Sequence, residues 1–173
     1  SLLHAVSGQR DLMRKRAAHL SVVGDGPLKG ELDRIITQER IEDVTSIHPW
    51  KSPPDGAYAA ADAFIIPSTH EGGPLTLYEA LLAGCRVVST PVGAAPDLAC
   101  RDTSVRILSD SSSSDLQQGL QAIMTGESLS DQERKSRSEL YSDFHVKQRT
   151  QEFYDAVSAI LETSVAEKSR DRR

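Results

Sequence analysis

The sequence is poor in the features that mark several common protein classes. Its two cysteines are too few for a disulfide framework, so a reducing, cytoplasmic setting is expected. The five histidines and two cysteines do not cluster at ligand spacings, and no metal site or other cofactor is expected. No Gly-x-Ser-x-Gly turn is present, which removes the basis for a hydrolase triad. No apolar run approaches the ~20 residues of a membrane-spanning helix, and no secretory leader is expected. Basic residues are outnumbered, 20 Lys and Arg against 25 Asp and Glu, for a formal charge of −5. A nucleic-acid groove relies on clustered Lys and Arg, so nucleic acid is not an expected partner.

What is present fits one globular domain. The chain has 173 residues, 38 % hydrophobic and 26 % charged, enough to build a core without staples. It starts at Ser1 directly in a helical pattern and is expected to be part of something longer. Leu2, Leu3, Val6, Leu12 and Met13 have helical spacing, and His19–Val23 reads as a buried strand ending at Gly24. Leu28, Leu32, Ile35 and Ile36 mark one face of a helix, and Val44–Ile47 a second strand. A helix over about Asp55–Ala61 leads to a third strand, Ala63–Ile66, terminated by Pro67. Pro74 stands at a first helical position, Leu75, Tyr78, Leu81 and Leu82 supply the buried face, and Gly84 ends that helix. Val87 and Val88 form a fourth strand and Val105–Leu108 a fifth, followed by a helix capped within Ser111–Ser114. A last long helix carries Phe144, Phe153, Tyr154, Val157, Ile160 and Leu161. Residues 1–163 are expected to form the domain, and 164–173 a flexible charged tail.

Apolar strands alternating with helices predict an α/β fold, a Rossmann-like doubly wound parallel sheet covered on both faces. In such sheets ligands sit beyond the carboxyl ends of the strands, here Gly24–Pro27, His48–Trp50 and Ser68–Thr76. The loop Thr69–Gly73 and the helix starting at Pro74 offer close backbone approach and unpaired N–H groups. Pro74 has no N–H, so Gly73, Leu75 and Thr76 are the candidate donors to a phosphate or diphosphate. Two carboxylates bracket this anion site: Glu71 in the loop, and Glu79 roughly 7–8 Å along the helix from Pro74. That separation is too long for a pair sharing one proton. It suits an extended ligand with hydroxyl-bearing rings on either side of an anionic centre, which is a nucleotide sugar.

Glu71 and Glu79, separated by seven residues after Pro-Ser, stand in the stretch PSTHEGGPLTLYEALLAGCRVVSTPVG, Pro67 to Gly93. With VVGDGP at Val22–Pro27, AADAFIIPS at Ala60–Ser68 and STPVGAAPDL at Ser89–Leu98, this resembles the family 4 retaining glycosyltransferases of the GT-B fold. The resemblance spans about Leu2 to Met124 and implies the carboxyl-terminal, donor-binding half of such an enzyme. It implies that Glu71 contacts the transferred sugar, as the catalytic candidate, and that Glu79 holds the ribose hydroxyls. Gly73, Leu75 and Thr76 would take the diphosphate. Gly24, Gly26, His48 and Pro49 would border the nucleobase, and Ser68 and His70 would line the mouth. It further implies a metal-free reaction, with the acceptor (a saccharide, a lipid-linked species or a small molecule) held by an amino-terminal domain. Membrane contact, if any, would come through that other half.

In the family the donor domain opens with a strand, a Gly-Arg loop and a lysine, and this sequence begins in the helix that follows them. The sheet is therefore expected to lack its first strand, leaving a gap between the strand ending at Gly24 and the one ending at Pro67. The Gly-Gly-x-x-Glu pattern common after the fourth strand is Gly93-Ala94-Ala95-Pro96-Asp97 here. Two alternatives stay open: a non-catalytic nucleotide-sugar-binding module or inactive remnant, and an NAD-binding Rossmann domain. The NAD fingerprint asks for an acidic residue at the end of the next strand, where this sequence has His48.

Overall fold

The computed structural model describes residues 2–50, 55–72, 75–126 and 130–142. The expected last helix (Phe144 to Leu161), the tail, and Gly73 and Pro74 lie outside the described residues. The chain runs α1 (Leu2–Lys15), β1 (Leu20–Val23), α2 (Lys29–Glu39), β2 (Thr45–His48), α3 (Asp55–Ala59), β3 (Ala63–Ile66), α4 (Leu75–Leu82), β4 (Arg86–Ser89), α5 (Ala95–Ala99), β5 (Val105–Ile107), α6 (Ser113–Thr125) and α7 (Asp131–Ser142). Each β-strand is followed by a helix. A crossover of that length returns the chain in the same direction, and all strand pairings are parallel.

The strands form two ladders, β1-β2 and β3-β4-β5. Among the described residues no ladder joins β1 to β3, the pair between which the resemblance implies a gap. The two parts are held together by side chains. Leu3, Val6 and Met13 of α1 pack with Ile36, Ile41 and Val44 and, in the same cluster, with Val88, Leu108, Leu116 and Leu120. On the opposite face of β3-β4-β5, Ile66, Val87 and Val105 meet Tyr58 of α3, Leu77, Ala80 and Leu81 of α4, Leu98 of α5 and Tyr141 of α7. Adjacent Val87 and Val88 thus enter different clusters, as the two-residue period of a strand dictates, so both faces of β4 are covered.

The boundaries depart from expectation in informative ways. His19 lies outside β1, and its imidazole bonds the Ser46 hydroxyl at 2.8 Å. Strand β2 begins one residue late, at Thr45, although the Val44 carbonyl already accepts from Leu20 N–H at 2.8 Å. Helix α3 stops at Ala59, where the chain tightens: Ala61 N–H donates to the Tyr58 carbonyl at 3.1 Å, and that carbonyl also accepts from the Cys85 thiol at 3.3 Å. Helix α5 has no counterpart in the sequence reading, since five residues are too few to display a period. Ser112 caps α6 by accepting from Asp115 N–H at 3.2 Å, and Gly84 ends α4 at φ 78°. No described helix is long and apolar enough to cross a membrane.

Candidate functional site

Parallel strands send their carboxyl-terminal loops to one edge of the sheet, and the loops after β3 and β4 meet there. Thr90, 1 % exposed, joins them: its hydroxyl lies 2.5 Å from the Ser68 carbonyl and 3.2 Å from that of Ile66. Its backbone N–H also donates to the Ile66 carbonyl at 3.0 Å. Above this fixed base opens a pocket of about 420 Å³, lined by Thr69, His70, Glu71 and Gly72 on one side and by Pro91, Val92 and Gly93 on the other. Gly93 has φ 52°, a conformation that favours glycine, which lets the second wall turn sharply. The Ser68 hydroxyl donates to Glu71 Oε1 at 2.8 Å, so the carboxylate at the pocket rim is oriented from within its own loop. His70 Nδ1 is hydrogen-bonded to Thr69 Oγ1 at 3.2 Å.

Helix α4 starts beside this loop. Leu75 is 70 % exposed at its first turn and Thr76 is half-buried, while Leu77, Ala80 and Leu81 are sealed in the core. First-turn N–H groups have no partner within a helix, and those of Leu75 and Thr76 stand at that first turn. Glu79 follows Leu75 by one turn, about 6 Å of rise, and is exposed. The Tyr58 phenol donates to Glu79 Oε2 at 2.8 Å. Burial, and then the hydrogen bond to Glu79, push the Tyr58 pKa well above that of a free phenol.

A second group gathers at the ends of β1 and β2. Gly24 N–H donates to the His48 carbonyl at 2.9 Å, and Trp50 N–H to Asp25 Oδ2 at 2.7 Å. His48 Nε2 lies 2.8 Å from the Ser46 hydroxyl. Gly26 belongs to the same turn, its carbonyl accepting from Lys29 N–H at 3.1 Å, and Pro49 is exposed beside His48. Among the described residues no hydrogen bond joins this group to the Ser68–Gly93 group. Ser68, His70 and Glu71 are thus brought together, as are Gly24, Gly26, His48 and Pro49. Glu79, Leu75 and Thr76 share α4 but do not line the pocket, and Gly73 lies outside the described residues.

Two features escape the sequence reading. The wall Pro91–Gly93 carried a signal, because it lies in the matching STPVG stretch. Tyr58 carried none, since its partner is 21 residues away on another helix. Among the described residues no three His, Cys, Asp or Glu side chains are grouped to hold a metal ion.

Residues 2–126 match the family described as Glycosyl transferases group 1, well over half of the chain. This protein is a member of that family. It is 31 % identical, over 85 residues, to the sulfoquinovosyl transferase SQD2 of Arabidopsis thaliana, a match that covers 49 % of this chain and 16 % of that protein. A glycosyltransferase structure from Rickettsia africae superposes with a TM-score of 0.76 at 17 % identity, covering 92 % of this chain and 43 % of the other. Anabaena HepE, solved in complex with UDP and glucose, gives 0.67 at 20 % identity, covering 88 % and 45 %. The chain therefore spans less than half the length of these relatives, and its parallel α/β fold is that of a carboxyl-terminal portion of GT-B enzymes.

Proposed function

We propose that this domain, residues 1–163, binds the nucleotide sugar donor of a retaining glycosyltransferase. The observation that carries the reading is the pair Glu71 and Glu79 flanking the start of α4, each carboxylate already oriented by a hydroxyl donor. Glu79 takes the ribose hydroxyls and Glu71 faces the transferred sugar. The amides of Gly73, Leu75 and Thr76 take the diphosphate, where the helix dipole stabilises charge on the leaving group. Gly24, Gly26, His48 and Pro49 border the base, Ser68 orients Glu71, and His70 lines the mouth. The acceptor is held by a part of the enzyme beyond these residues. Carboxylates that accept from sugar hydroxyls need no metal bridge, which supports a metal-free site.

HepE's complex with UDP and glucose supports UDP-glucose as the first donor to try. The test is steady-state kinetics and UDP titration with Glu79→Gln and Glu71→Gln in the longer enzyme that also carries the acceptor-binding part. Glu79→Gln is expected to weaken nucleotide binding by about 1–3 kcal/mol, the loss of a charge-assisted hydrogen bond. Glu71→Gln should lower turnover more than affinity. Wild-type behaviour of both variants would move the site elsewhere.

A further inference from the structure

We propose that Tyr58 is a positioning residue for donor binding: it holds the Glu79 carboxylate in the orientation that receives the vicinal hydroxyls of a nucleoside diphosphate. The inference rests on the reading of Glu79 as the ribose-binding carboxylate. A glutamate on an exposed helix face ordinarily samples several rotamers and must be ordered when a ligand arrives. Here Oε2 accepts from the Tyr58 phenol at 2.8 Å, which leaves Oε1 and the remaining lone pairs free for two incoming hydroxyls.

The phenol can act as a fixed point because Tyr58 is itself immobilised. The residue is 7 % exposed within the core that α4 covers. Its ring meets Phe64 edge-on, with centroids 5.4 Å apart and planes at 64°. Its carbonyl accepts from the buried Cys85 thiol at 3.3 Å. Three contacts therefore fix backbone, ring and hydroxyl. With its pKa raised by burial, the phenol remains a donor throughout the neutral range. Helix α3, which looks in sequence like a mere connector between β2 and β3, carries this group beneath α4.

The test is a titration of the full chain with UDP, ADP and GDP, then with the 2′,3′-dideoxy form of whichever binds, on wild type, Tyr58→Phe, Glu79→Gln and the double variant. Tyr58→Phe keeps the ring on Phe64 and leaves only the exposed Glu79 without its partner, and circular dichroism checks that it folds. It should weaken the ribonucleotide about 5- to 20-fold, leave the dideoxy nucleotide unchanged, and add less than about twofold in the Glu79→Gln background. Equal losses for both nucleotides, full additivity with Glu79→Gln, or no loss at all would make the pair a packing contact and overturn the inference alone. Unaltered binding by Glu79→Gln, or failure of the wild type to bind any of the three nucleotides, would overturn the donor reading and this inference with it.

Discussion

Glu71 and Glu79 are eight positions apart, yet their hydroxyl partners come from different distances along the chain. Ser68 reaches Glu71 within one loop, whereas Tyr58 reaches Glu79 from another helix. The same contrast governs charge. Asp43 receives Arg14 Nε at 2.5 Å and Arg10 Nη2 at 3.3 Å, both from α1, and the Arg14 hydrogen bond holds its carboxyl below the usual carboxylate range. A carboxyl whose folded pKa is depressed stabilises the fold above its unfolded pKa of about 3.9, and that stability is lost as pH falls through the lower folded value. Asp43→Asn should therefore be slightly less stable than wild type at neutral pH, as expected for an exposed pair. The difference should close as the medium is acidified below about pH 3.9. Urea midpoints of both proteins across that range decide it; a constant gap would mean that Asp43 acts by packing.

At the scale of elements, α1 against α6 is the seam that holds the β1-β2 part to the rest. Two glycines, Gly8 of α1 facing α6 and Gly119 of α6 facing β4, should respond oppositely to alanine. A Cβ on Gly119 of α6 would stand 2.8 Å from Val88 Cγ1 and 3.2 Å from Leu108 Cδ2. Val88 is β-branched and fixed in a strand, so it cannot yield. Overpacking of about 1–3 kcal/mol outweighs the ~1 kcal/mol that alanine gains over glycine in a helix, and Gly119→Ala should lower stability. The nearest atoms to a Cβ on Gly8 of α1 belong to the amide end of Gln117, from 2.5 Å, which can swing aside. Gly8→Ala should then raise stability by up to ~1 kcal/mol. Thermal unfolding of the two variants reads the sign directly. A destabilised Gly8→Ala would show that Gln117 is held in place.

For the whole molecule, the relevant fact is that these residues span 43 % and 45 % of two solved relatives. Sugar transfer needs donor and acceptor held together, and that proximity contributes on the order of 7–11 kcal/mol to lowering a barrier. Residues 1–173 purified alone are therefore expected to transfer no sugar. The assay uses UDP-, ADP- and GDP-sugars with saccharide and lipid acceptors. Sustained turnover would show that the acceptor site is contained in this segment.

The order of strands and helices, their parallel sense and the Glu71–Glu79 spacing were legible in the sequence, because each depends on local period or on punctuation such as Pro67 and Gly84. The helix after the Glu71 loop was legible for the same reason, and the structure describes it from Leu75. Packing was not legible. Whether Val87 and Val88 face different clusters, whether Thr90 ties the two loops at the pocket base, and which hydroxyl holds Glu79 all depend on contacts between distant segments. Short elements such as α5 expose no period, and a buried tyrosine reads in sequence as core whether or not its hydroxyl has a partner. The sequence determined the order of elements and the loop and helix on which Glu71 and Glu79 stand; the tertiary structure decided which side chains meet them, because only folding brings Tyr58 beneath α4 and sets Pro91–Gly93 opposite Glu71.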